Sequence, residues 1–233
     1  MVEVLANSIE CLLNFRLGFR MATTGSRRRS KTLVRQPKQD RARRTVATLL
    51  EAAARVLVER GWGGFNTNAV AARAGVSIGS LYEYFPNKQA LVDAVANEHL
   101  ARGEAMLEQS QAEDRSPKTL EQLVHALVQG FVKIHRDDPD LHRALSGTVP
   151  LSSHVTARAR QLLAATVARV EHHLRGVVRQ PKLVATLLVE TTDAAVHRWV
   201  IDLDGKPVTE RSLSMELERM LAAYLCSLAE SRM

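Results

Sequence analysis

The sequence predicts an all-α protein, with a small three-helix unit near its start and a larger helical part behind it. Three observations lead there. Past residue 43, apolar residues recur at helical spacing, and no stretch shows the alternation of a half-buried strand. Only twelve glycines and seven prolines interrupt long runs of Ala, Leu, Val, Arg and Glu in 233 residues. Residues 70–91, VAARAGVSIGSLYEYFPNKQAL, read as two short helices with a glycine between them and a proline after them.

In order along the chain, Val46, Leu49, Leu50, Ala53, Val56 and Leu57 make one face of a first helix, ended by Gly61 and the GWGG turn. A short helix follows over about 67–74, capped by Asn66 or Thr67. Gly75 supplies the left-handed residue that stops it. Ser77 caps the next helix, which runs to about Phe85 and does not pass Pro86. Asn87 caps a fourth, from Lys88 to about Gln109. Leu120, Leu123, Val124, Leu127, Val128, Phe131 and Ile134 form a stripe over four turns, and DDPDLHRAL breaks it to start a short segment. Leu162, Leu163, Thr166, Val170, Leu174 and Val177 mark another helix. Two long helices close the chain, over about 181–202 and 210–230, separated by DGKP at 204–207.

Charge is unevenly spread. The chain carries +7, but residues 20–44 hold ten Lys or Arg and a single acid, Asp40, a local +9 that leaves −2 for everything else. A nearly neutral body with a basic arm is drawn to polyanions, either nucleic acid or an anionic membrane surface, unless the arm only solubilises. Two cysteines, Cys11 and Cys226, make no disulfide framework and fit a reducing, cytoplasmic compartment. The first twenty residues are apolar but contain no run of 18 and place Glu3 ahead of their apolar stretch, which predicts neither a membrane span nor a secretory signal. Met21 opens a more typical polar start and is a candidate translation start.

Two short helices around a tight glycine turn form a helix-turn-helix, whose second helix fits a DNA major groove. On a helical wheel Leu81 and Phe85 share one inward face, Tyr82 and Tyr84 flank it, and Gly79 and Ser80 face outward. Ser77 stands at the N-terminal end, where free N–H groups favour phosphate. The flanking phenols are then placed to bond the phosphates on either side of the groove, or else are partly buried spacers with solvated hydroxyls.

The stretch AAARVLVERGWGGFNTNAVAARAGVSIGSLYEYFPNKQALV resembles the TetR/AcrR family of bacterial transcriptional regulators, over about 60 residues and with motifs far more specific than a generic helix-turn-helix. The resemblance implies a basic N-terminal arm over 1–42, a DNA-binding domain over 43–103 with its helix-turn-helix at about 66–85, and an effector-binding and dimerising helical domain over 104–233. It implies that Thr67 contacts phosphate and Asn68 a base, that Ser77, Ile78, Gly79 and Ser80 form the reading end, and that Tyr82, Tyr84 and Lys88 clamp the backbone, with Arg44 closing the basic arm. Asn68 stands where a basic residue is frequent, and Gly79 offers no side chain. Ile78 remains open between the inward face, where the wheel puts it, and the bases, where the resemblance puts it.

A short reading helix spans too few base pairs for a unique address, so a symmetric dimer on a palindromic operator is expected. Stripes on the last two helices are candidate dimer elements: Leu187 and Thr191 on one, Leu213, Leu217, Met220, Leu221, Tyr224 and Leu228 on the other. Each stripe could instead complete the core of one chain. Glu190, Asp193 and His197 share a helical face; they read as a solvated or salt-bridged face, or as the polar edge of a small-molecule effector pocket. A metal there would lack a ligand from a second helix, so no metal and no cofactor are expected. The expected function is a DNA-binding repressor released by a small molecule. The alternative is a basic helical protein that binds anionic membranes or a protein partner. No phosphate loop, paired-cysteine motif or GxSxG supports an enzyme.

Overall fold

The computed structural model describes residues 37–112, 117–202 and 208–230, and every regular element among them is helical. Helix α1 spans Pro37–Gly64, α2 Thr67–Ala74, α3 Ile78–Tyr84 and α4 Lys88–Ala112. Behind them come α5 (Leu120–Asp137), α6 (Pro139–Ser146), α7 (Ser153–Leu174) and α8 (Pro181–Val196). A π-helical turn, His197–Asp202, extends α8, and α9 covers Glu210–Glu230. No described helix is long and apolar enough to cross a membrane.

The expected elements are all present, with shifted ends. The arm expected to be free through residue 42 gives way to helix at Pro37; its earlier part lies outside the described residues, as do Cys11, Met21 and the DGKP turn. Gly61, at φ 60 and ψ 179, breaks α1 as the GWGG motif predicts, and one further turn follows it. The fourth helix continues to Ala112, past the expected domain boundary at 103.

Two apolar clusters hold these helices. The first gathers Leu49, Val56, Leu57, Phe65, Val70, Leu81, Phe85, Leu91 and Val95 from α1–α4, joined by Leu141 and Leu145 of α6 and Val155 of α7. The second unites α5, α7, α8 and α9 through Val124, Val128, Leu174, Leu188, Val189, Val196 and Leu225. The short helix α6 therefore belongs by packing to the N-terminal cluster, although it follows α5 directly. Arg158 of α7 ties the two parts together. Its guanidinium donates to Glu104 of α4 at 2.9 Å and to the Asn97 carbonyl at 3.0 Å, and this pairing holds the Glu104 carboxyl below its ordinary range.

Candidate nucleic-acid interface and helical body

The turn between α2 and α3 is built by capping. Asn66 is the N-cap of α2: its Oδ1 accepts from Ala69 N at 2.8 Å, while its amide donates to the Gly64 carbonyl at 3.1 Å. Gly75 ends α2 at φ 68, a left-handed conformation that side chains resist. Its N–H donates to the Ala72 carbonyl, and the Val76 N–H reaches back to Ala71, the paired bonds of a Schellman motif. Ser77 Oγ then accepts from Ser80 N at 3.0 Å and starts α3. Leu81 is fully buried and Phe85 nearly so, and these two set the depth of α3 against the core.

This arrangement leaves the expected reading end outward. Asn68, Ser77, Ile78 and Gly79 are exposed and Ser80 is half-buried. Ile78, which the wheel puts toward the core, is 37% exposed at the start of α3, one turn ahead of the buried Leu81. The Ser77 hydroxyl also lies 3.0 Å from that of Ser80, so both are already engaged with each other.

The flanking groups differ from one another. Tyr82 is 49% exposed and its hydroxyl lies 3.1 Å from Thr67 Oγ1, joining the start of α2 to the second half of α3. Tyr84 is half-buried against the first core. Arg44 is exposed on α1. Lys88, half-buried, directs its ammonium to the Trp62 carbonyl at 2.8 Å and stands 3.7 Å above the Trp62 ring, pinning the start of α4 to the end of α1. In this conformation Lys88 supports the reading head from within.

Comparison with known proteins agrees with this geometry. Residues 49–95 match the family model for bacterial regulatory proteins of the tetR family, and residues 119–225 match that for the tetracyclin repressor-like C-terminal domain. The chain belongs to the TetR family. It is similar to an uncharacterised HTH-type transcriptional regulator, YvkB, of Bacillus subtilis, 34% identical over 30% of this chain and 38% of that protein. The nucleoid occlusion factor SlmA of Shewanella woodyi is 25% identical over 61% of this chain and 77% of its own length. A solved structure of the regulator FadR from Bacillus subtilis in complex with stearoyl-CoA superposes with a TM-score of 0.58 at 18% identity, covering 76% of this chain and 97% of that one. As a TetR-family member the chain is a DNA-binding transcriptional regulator.

The helical body of this TetR-family chain corrects part of the expected dimer face. Leu213, Leu217 and Leu221 are buried in the chain's own second core, because α9 packs its apolar stripe on α5 and α8. They are not available to a partner. Leu228 also packs against that core. Leu187, Thr191, Met220 and Tyr224 are exposed, and Leu183 and Met215 are exposed on the same two helices.

The expected effector residues separate. Glu190 is exposed, whereas Asp193 and His197 turn toward three further histidines. His99 of α4 and His142 of α6 bring Nε2 and Nδ1 to 3.0 Å, and His142 Nε2 stands 3.3 Å from His197 Nδ1. His135 of α5, almost fully buried, donates from Nδ1 to the Phe131 carbonyl at 2.9 Å and presents Nε2 to Asp193 Oδ1 at 3.6 Å. Burial holds His99 and His135 below the usual imidazole range and, with the neighbouring imidazoles, takes His142 down to about 2. Asp193 keeps some solvent contact, yet burial raises its carboxyl to about 6. Nδ1 of His99 is buried without a partner among the described residues.

Three ligand-competent nitrogens, one each from His135, His142 and His197, lie within 4.8 Å of one another. The sequence offers only the i, i+3, i+7 face of one helix; the second- and third-helix ligands it lacks are His135 and His142. Neither of two open surface recesses of about 370 Å³ is lined by Glu190, Asp193 or His197. His172 and His173, adjacent on α7, are exposed and half-buried, as expected of a helix surface.

Proposed function

We propose that this chain is a repressor that binds a palindromic operator as a homodimer and releases it when a small molecule binds the helical body. The observation that carries this reading is the outward face at the starts of α2 and α3, where capping and the Leu81–Phe85 anchor leave Asn68, Ser77, Ile78 and Gly79 facing solvent. Asn68 suits adenine, whose N6 and N7 match an amide, and Ile78 suits a thymine methyl. Thr67, Tyr82, Tyr84 and Arg44 suit phosphates, which fix register without reading sequence. Lys88 supports them by bracing α4.

Helix α3 has seven residues and spans about 10 Å. That is a few base pairs, so a second copy is needed for a selective site. The exposed apolar residues of α8 and α9, with Met215 at 59%, supply a surface for it. The similar FadR structure holds stearoyl-CoA, which supports a small-molecule effector within this fold. Operator binding goes with a cytoplasmic location. Selection of bound sequences from random double-stranded DNA, at near-physiological salt, tests the reading. A recovered palindrome is expected; a pool without a motif would overturn it.

A further inference from the structure

Four of the eight histidines gather where the two cores meet. His99 and His142 stand on α4 and α6, which pack in the first core; His135 and His197 stand on α5 and the π-helical turn, which pack in the second. We propose that His135, His142 and His197 bind a first-row transition-metal dication of the zinc class, with Asp193 at the edge of the site, and that the ion, by joining the two cores, alters operator affinity. The regulatory half rests on the operator-binding reading above; the binding site does not.

Geometry and tautomers carry the site. Two nitrogens bound 2.0–2.1 Å from a tetrahedral zinc stand about 3.3 Å apart. His142 Nε2 and His197 Nδ1 already have that separation, 3.3 Å. All three ligand nitrogens fall within 4.8 Å, so the widest pair needs to close by no more than about 1.5 Å. A carbonyl can only accept, so the bond to Phe131 O puts the proton of neutral His135 on Nδ1 and the lone pair on Nε2. A ring N–H held by a backbone carbonyl is the usual outer support of a metal-binding histidine. That lone pair faces the Asp193 carboxylate at 3.6 Å, an arrangement that a cation between them makes favourable. On the second ligand, His142 Nδ1 meets His99 Nε2 at 3.0 Å, so His99 orients His142 as Phe131 orients His135. Imidazole donors select zinc, cobalt, nickel or copper over calcium and magnesium, which take oxygen.

The link to DNA follows from position. His142 lies between Leu141 and Leu145, which pack under the reading head, and Arg143 beside it donates to the Ile201 carbonyl of the π-helical turn at 2.8 Å. An ion held by His135, His142 and His197 would fix α6 to α5 and α8. Any difference in its affinity between DNA-bound and free conformations appears as the same factor in operator affinity.

The full chain, stripped with chelator and dialysed, is titrated with Co²⁺. One equivalent is expected, with the visible absorption of a four-coordinate site, displaced by Zn²⁺. H142Q and H197Q should each weaken Co²⁺ binding at least tenfold. The half-exposed His197 provides a variant that folds even if H142Q does not, as a thermal melt in chelator checks. The double variant H172Q/H173Q should bind as the parent does. No uptake, unchanged uptake in H197Q, or loss in H172Q/H173Q would overturn the site. On the operator recovered by selection, Zn²⁺ should change affinity at least fivefold relative to chelator in the parent chain and not in H197Q. Binding of Co²⁺ with no change in operator affinity overturns the regulatory half. Failure to bind any operator, with or without Zn²⁺, overturns the regulator reading and that half together, while the Co²⁺ titration still decides the site.

Discussion

Tyr82 and Tyr84, two residues apart on a seven-residue helix, meet different surroundings, and their difference decides what each hydroxyl can do. Tyr82 is bonded to Thr67 on the outer surface, whereas Tyr84 packs against the core with its edge open. The Tyr84→Phe change should weaken DNA binding by about 1 kcal/mol on every sequence, the scale of one hydrogen bond. Equal affinities in a fluorescence titration would put that hydroxyl away from phosphate. Asn68→Ala should leave overall affinity closer to the parent's and relax preference at one base pair per half-site. A repeated selection with this variant checks it, and an unaltered motif would remove Asn68 from the reading set. The wheel puts Ile78 on the inward face because it sorts side chains by angle and carries no information on where the packed neighbours end. In the structure Ile78 is 37% exposed at the start of α3, one turn ahead of the buried Leu81.

Among the elements, α3 depends most on a single anchor. It is too short to hold itself together and makes its stability by docking Leu81 and Phe85. Leu81→Ala should lower the unfolding free energy by about 2–5 kcal/mol. Urea melts measure this, and a loss below about 1 kcal/mol would mean that α3 is not seated as described. The elements themselves are legible because their signals are local: Asn66, Gly75, Ser77 and Asn87 each act within one turn of their own position. The continuation of α8 to residue 202 is legible too, but its π-helical form is not. It is held by Arg143 reaching Ile201 from another helix, a partner that no local pattern names.

For the whole molecule, the exposed apolar residues of α8 and α9 and the basic arm set two expectations. A double change of Leu187 and Met220 to Glu, at positions exposed in the single chain, should leave folding intact and halve the mass in light scattering. A dimer that survives the change would place the interface elsewhere. Deleting residues 1–36, which end where α1 begins, should reduce the steepness with which salt weakens DNA binding. An identical slope would mean that the arm makes no phosphate contact.

From the sequence alone came the all-α class, the helix-turn-helix with its caps and inward Leu81–Phe85 pair, and the family. All of these rest on spacing within a turn or two, where covalent geometry dictates which side chains are neighbours. Only tertiary structure decided what covers each apolar stripe. Leu213 and Leu217 carry the same periodic signal whether a sister helix or a second chain buries them, and here α5 and α8 of the same chain do so. Only tertiary structure, too, brought His99, His135, His142 and His197 together from four separate elements. His99, His135 and His142 are unremarked on their own helices, because a meeting of side chains so far apart in sequence is set by how helices pack and not by the period of any one of them.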